Sequence, residues 1–135
     1  MTLTVINLDT LTLGDRSYIA HDGKTALTVD PQRDIDRVQA ILDREGLTLG
    51  GVVETHMHND YVSGGLVLAQ EHGAKYIVSE MDPVTFKRVT VADKQIETIG
   101  DFAVQAIHTP GHTFTHMSYA LLDDAQKAHG VFTGG

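Results

Sequence analysis

Glu54-Thr55-His56-Met57-His58-Asn59-Asp60-Tyr61 is the stretch from which the whole chain is best read. It follows the apolar pair Val52-Val53 and precedes Ser63-Gly64-Gly65. Two histidines and a carboxylate stand at alternate positions. Imidazole and carboxylate are the side chains that hold Zn²⁺ or non-haem iron. An apolar strand that runs into a ligand-bearing loop, and then into a helix, is one way to hold such groups still. Histidines two apart on an irregular loop can face one point. Asp60 can ligate the same ion or a neighbouring one. Alone, the pattern is equally compatible with a polar loop after a strand.

A second cluster, His108-Thr109-Pro110-Gly111-His112-Thr113, shifts that balance. It too follows an apolar run. Pro110-Gly111 forces a tight turn that aims His112 back over the strand ends. Two histidine-bearing turns at the carboxyl ends of strands converge naturally on one site, as in other open α/β sheets.

Working upstream, Leu3, Val5, Leu8, Leu11 and Leu13 mark an opening strand or hairpin. Residues 16–21 and 25–29 give two further strands about the turn Asp22-Gly23, so an antiparallel meander is expected. A helix is predicted over 32–45. Ile35, Val38, Ile41 and Leu42 recur at helical spacing among charged residues, and Gly46 supplies the stop. Residues 49–55 form the strand that delivers the first loop. A second helix, capped by Ser63 or a neighbour, runs to Gly73, and Tyr76-Ile77-Val78 is a short strand. Strand and helix thus alternate from Thr25 to Val78, which argues an α/β layer arrangement. Residues 81–95 read as a loop with one helical turn. Residues 96–99, 102–107, 117–122 and 131–133 read as four more strands, with turns at Asp123-Asp124 and at Ala128-His129-Gly130.

The bulk numbers narrow the function. The 135 residues make one domain or part of one, with 41% hydrophobic and 21% charged residues. Eighteen acids against ten bases leave a net charge of −8. Nucleic acid and anionic membrane surfaces, which select clusters of Lys and Arg, are therefore not expected partners. There is no cysteine, hence no disulfide frame, no thiolate metal site and no thiol nucleophile. No run approaches the ~18 apolar residues of a membrane span, and the first residues lack a basic start and an apolar run. The cytoplasm is the expected compartment. Of the eight histidines, His21, His72 and His129 are expected on the surface.

These motifs resemble the metallo-β-lactamase fold superfamily. Thr55-His56-Met57-His58-Asn59-Asp60-Tyr61, followed by Gly64-Gly65, is similar to its Thr-His-x-His-x-Asp-His signature. Thr109-Pro110-Gly111-His112-Thr113 matches its Thr-Pro-Gly-His-Thr, with His116 at the place of a common later histidine. Val131-Phe132-Thr133-Gly134-Gly135 resembles an apolar pair followed by Thr-Gly-Asp, and Val29-Asp30-Pro31 a strand end of the family. Within the superfamily, the wording from Glu54 to Gly65 is most similar to the persulfide dioxygenases and glyoxalase II enzymes, some of which carry a rhodanese domain.

The resemblance implies an α/β fold: a metallo-β-lactamase-like αβ half-sandwich, with a mixed, mostly antiparallel sheet and two helices on one face. Residues 1–135 would be a single domain corresponding to the N-terminal half of the family's sandwich. It implies His56, His58 and His112 as metal ligands, with Asp60 as a further ligand and catalytic carboxylate. Tyr61 replaces the last histidine of the first signature, and a phenol of pKa ~10 is a poor zinc ligand at neutral pH. One Zn²⁺ or Fe²⁺ is therefore implied rather than two. Gly135 stands where the family has aspartate. Tyr61 is either a substrate-facing hydroxyl or a plug in the vacated metal position. His116 either lines the pocket or orients His112, and His108 either supports a ligand or lies on the surface.

The implied activity is a metal-dependent hydrolase or sulfur dioxygenase, acting on a small molecule such as a glutathione-derived thioester or persulfide. The alternative, favoured by Gly135, is a truncated or degenerate metal-binding module without turnover. In either case an uncovered apolar sheet face is expected, and with it a homodimer packed sheet on sheet.

Overall fold

The computed structural model describes residues 2–10, 15–31, 35–55, 64–79, 89–109 and 117–132. Its elements in chain order are β1 (Thr4–Thr10), β2 (Asp15–His21), β3 (Thr25–Val29), α1 (Ile35–Glu45), β4 (Thr48–Val53), α2 (Gly64–His72), β5 (Lys75–Ser79), β6 (Val89–Val91), β7 (Ile96–Ile99), β8 (Phe102–His108), β9 (Met117–Leu122) and β10 (Ala128–Phe132). The strands form a six-stranded sheet in the order β1-β2-β3-β4-β5-β6 and a four-stranded sheet in the order β10-β9-β8-β7.

In the first sheet β1, β2 and β3 form the expected antiparallel meander. The crossovers through α1 and α2 then place β4 and β5 parallel to β3, as helical connections require. Strand β6 continues in parallel beside β5. The second sheet is antiparallel throughout. The α/β class holds, with mixed and mostly antiparallel pairing.

Two apolar layers hold these elements together. On one face of the six-stranded sheet, Val38, Ile41 and Leu42 of α1 and Leu66, Leu68 and Ala69 of α2 pack on Ile19, Ala26, Leu49, Val52 and Val78. The 3.6-residue spacing in α1 puts its three apolar side chains on this face. On the opposite face Leu27, Val29, Val53 and Ile77 meet Phe102, Val104, Met117, Tyr119 and Leu121 of the second sheet. Strand β3 lies between the layers and is buried on both sides after its first residue, which fits the near-continuous apolar reading of a strand with parallel neighbours.

The sheets approach closely around Ile99. A Cβ on Gly51 would lie 2.6 Å from the Ile99 Cδ1 atom, so the missing side chain on β4 seats β7. At the turn after β7, Gly100 has φ of +63° and its backbone lies against Thr25. Tyr18 on β2 and Phe132 on β10 bring their ring centroids to 5.1 Å. The Lys75 ammonium bonds the Glu97 carboxylate at 2.8 Å and the Thr98 carbonyl at 3.1 Å.

Four expectations are corrected. The strands divide between two sheets rather than forming one. The apolar face expected to be open is covered by the chain's own second sheet, so it cannot serve for a sheet-on-sheet homodimer. Residues 89–91, expected within a loop, form β6, and residues 128–130, expected as a turn, begin β10 with an irregular register against β9. His72 is also tied into the fold, its Nε2 lying 2.6 Å from the Gln39 Oε1 of the other helix. No helix among the described residues is long and apolar enough to cross a membrane.

Among the described residues, Thr28, 1% exposed, is the buried polar residue whose hydroxyl has no hydrogen-bond partner. An unpaired buried hydroxyl costs about 1–3 kcal/mol. Thr28→Val, which keeps the shape and removes that atom, is expected to raise stability by about 1 kcal/mol. Urea denaturation of the two proteins checks this, and a lower midpoint in the variant would refute it.

Candidate metal centre

The geometry of the candidate centre is set where β4 ends. Residues 56–63 and 110–116 lie outside the described residues, and with them His56, His58, Asp60, Tyr61, His112 and His116. Gly135 lies outside them as well. The structure defines the frame from which both histidine-bearing segments depart.

Glu54 and Thr55 are buried, at 3% and 0% exposure. A buried backbone dipeptide outside regular pairing must find partners for two N–H and two C=O groups. All four have them. The Glu54 N–H donates to the Ile77 carbonyl of β5 at 3.2 Å, and the Thr55 N–H to Asp30 Oδ1 at 2.8 Å. The Glu54 carbonyl accepts from the Tyr119 hydroxyl at 3.1 Å, and the Thr55 carbonyl from the Met117 N–H at 2.6 Å. Side chains add to this. The Thr55 hydroxyl donates to Asp30 Oδ2 at 2.7 Å, and the Tyr76 hydroxyl to Glu54 Oε2 at 2.9 Å.

Asp30 explains itself through these contacts. It follows β3 with φ of +48°, the left-handed region that aspartate tolerates better than most residues. Its N–H donates to the Val53 carbonyl at 3.0 Å, continuing the β3–β4 pairing by one step. Its carboxylate then lies against Thr55 and accepts from both the backbone and the hydroxyl.

The second segment is closed at its base. His108 and Met117 are paired across β8 and β9. The Thr109 and Ser118 hydroxyls lie 2.8 Å apart, just before and just after the segment. The His108 N–H donates to Asp93 Oδ1 at 2.8 Å, fixing the end of β8 from the loop before β7. His108 is half-buried, and strand alternation puts it on the same face of β8 as Phe102, Val104 and Ala106, at the rim of the inter-sheet core.

The Met117–Thr55 bond joins these two bases. The first segment leaves from Thr55, and the second ends at Met117, in direct hydrogen bond with it. The points at which the two histidine-bearing segments join the described fold, Thr55 and Met117, therefore lie together, at the carboxyl end of β4 in the parallel set β3, β4 and β5. This is where open α/β sheets bind ligands. The candidate ligands on the two segments, the imidazoles of His56, His58 and His112 and the carboxylate of Asp60, are chemically suited to Zn²⁺ or Fe²⁺. Among the described residues alone, no group of three or more such side chains could hold a metal.

Sequence reasoning missed the clamp. Tyr76 and Tyr119 read as apolar strand residues, and Glu54 as a lead-in to the motif. The available signal was the phenol itself, since a buried tyrosine hydroxyl needs a partner.

Comparison with known proteins agrees with this frame. No family model matches the chain. It is 32% identical over 127 residues to the lactamase-like protein notP of an Aspergillus species, covering 90% of this chain and 38% of that protein. It is 36% identical over 119 residues to the hydroxyacylglutathione hydrolase of Brucella anthropi, covering 86% and 44%. Among solved structures, a metallo-β-lactamase from Staphylococcus aureus superposes with a TM-score of 0.85 at 28% identity, covering 98% of this chain and 43% of that one. ETHE1 from Myxococcus xanthus gives 0.78 at 25% identity, covering 87% and 53%.

The chain belongs to the metallo-β-lactamase fold superfamily. Within it, the chain falls in the branch of the hydroxyacylglutathione hydrolases and ETHE1, the side of the superfamily that the wording of the first loop resembles. It spans less than half the length of the curated relatives it matches.

Removing the Asp30 carboxylate leaves the buried Thr55 N–H without its acceptor and puts a left-handed φ on a residue that resists it. Asp30→Ala is expected to cost about 1.5–3 kcal/mol, the range for a hydrogen bond to a charged group. Asp30→Asn, which keeps one acceptor and tolerates the φ, should cost less. Equal denaturation midpoints for wild type and Asp30→Ala would refute this account.

Proposed function

We propose that the chain is the metal-binding half of a hydrolase or sulfur dioxygenase, with His56, His58 and His112 holding one Zn²⁺ or Fe²⁺ and Asp60 beside them. The observation that carries this reading is the Met117–Thr55 hydrogen bond, which sets the bases of the two histidine-bearing segments side by side. The likeness to hydroxyacylglutathione hydrolase and to ETHE1 supports it.

The roles follow from residue chemistry. When bound, the ion supplies Lewis acidity for hydrolysis or a site for dioxygen chemistry. The neutral imidazoles of His56, His58 and His112 would bind it, so loading falls as acid protonates them. The Asp60 carboxylate either adds a ligand or takes the proton released as water is activated. Tyr61 keeps the count at one ion, because its phenol is a poor ligand at neutral pH. The substrate is a small molecule, a glutathione-derived thioester or persulfide. The cysteine-free chain suits a cytoplasmic setting.

Metal analysis tests the centre. Purified wild type should carry or take up about one Zn²⁺ or Fe²⁺ per chain, and His56→Ala and His112→Ala should lose it. Thioester cleavage against oxygen uptake with glutathione persulfide then separates the two chemistries. A wild type that takes up no metal would sink the reading. A chain that holds metal in a histidine-dependent way but turns over neither substrate would be the non-catalytic module instead.

A further inference from the structure

We infer that Tyr119 is a positioning residue for the metal loop: its buried hydroxyl holds the Glu54 carbonyl from the opposite sheet and so fixes how the chain leaves β4 towards His56 and His58. The inference rests on the metal-site reading above.

Tyr119 is 0% exposed and belongs to the apolar cluster between the sheets. The other buried members of that cluster are apolar side chains, among which a phenylalanine ring would also be accommodated. The hydroxyl is what distinguishes tyrosine at this position, and it donates to a carbonyl 65 residues away at 3.1 Å. That carbonyl belongs to the second residue before His56. Two residues earlier on β9, the Met117 N–H takes the next carbonyl, that of Thr55, at 2.6 Å.

The two bonds work as a pair. Successive carbonyls of an extended chain point in opposite directions, so a single neighbouring strand cannot bond both through its backbone. Here β9 holds one with its main chain and reaches the other with a rigid phenol. Meanwhile the Tyr76 hydroxyl of β5 holds the Glu54 carboxylate at 2.9 Å. Glu54 is thus fixed by main chain and side chain, by two tyrosines from two sheets. Without the Tyr119 hydroxyl, the Glu54 carbonyl is left buried and short of this donor, and the peptide can rotate to seek another partner. Any such rotation acts on Thr55, the residue that precedes His56.

Partners that orient metal ligands contribute about 10–100-fold to metal affinity when removed. Co²⁺ is the probe, with its visible absorption reporting ligand geometry and a competing chelator reporting affinity. Tyr119→Phe is expected to bind Co²⁺ about 10–100-fold more weakly, with an altered visible spectrum and an intact far-ultraviolet circular dichroism spectrum. Val104→Ala, in the same core, is expected to lower the melting temperature while keeping the wild-type affinity and spectrum. Making Tyr119→Phe also in the Thr28→Val background guards against simple loss of folding.

Wild-type affinity and spectrum in Tyr119→Phe would overturn the inference. So would an equal loss of affinity in Val104→Ala at matched stability, since only general stability would then matter. A wild type that binds no Co²⁺ would overturn the metal-site reading itself, a result distinct from either.

Discussion

The frame of the candidate site depends on the hydrogen bonding of two residues, Glu54 and Thr55. They are the last described residues before the first histidine, and they are buried. Burial makes their four backbone groups costly unless each is paired. The partners come from the end of β3, from β5 and twice from β9. No single supersecondary unit supplies them. The α/β crossover provides Asp30 and Ile77, and the second sheet provides Met117 and Tyr119. The packing of the two sheets is therefore tied to the placement of the loop, because two of the bonds exist only when the sheets are together.

Much of this fold was legible in the sequence, for identifiable reasons. The spacing of Val38, Ile41 and Leu42 defined α1 because one face of that helix is buried and the other is wet. Asp22-Gly23 marked the hairpin between β2 and β3, where the Asp22 carboxylate accepts from the Lys24 and Thr25 N–H groups. The parallel core from β3 to β5 followed from strand–helix alternation. What escaped was tertiary. Alternation along Phe102, Val104 and Ala106 shows that β8 has an apolar face, but not which surface meets it. The strands were accordingly read as one sheet with an open face, when that face is filled from within the chain. Strand β6 is only three residues long, preceded by Lys87 and Arg88, and such a segment carries too little pattern to register. Residues 128–130 read as a turn because of Gly130, which instead sits where the β9–β10 register shifts.

The site was legible in a different way. The residue types that could hold a metal were visible as two motifs, and the family resemblance they carried agrees with the relatives and the fold. The frame was not visible, because it is made of residues with no chemistry of their own to advertise. Tyr119 and Tyr76 look like strand aromatics until their hydroxyls are followed to Glu54. Asp30 was noticed as part of a strand-end phrase, yet its role needs Thr55, which is 25 residues away.

The sequence separation in the Tyr119–Glu54 bond has a consequence for how the molecule assembles. Contacts between distant residues must overcome the closure entropy of the intervening chain before they contribute. The helix α1 and the β2–β3 hairpin are local and need no such closure. The launch point of the first histidine loop does: it is complete only once β9, more than sixty residues downstream, has docked. A chain still emerging without β9 holds the first motif but not its frame. Order at Glu54 is thus a measure of whether the polypeptide has finished folding, and the site inherits the cooperativity of the whole.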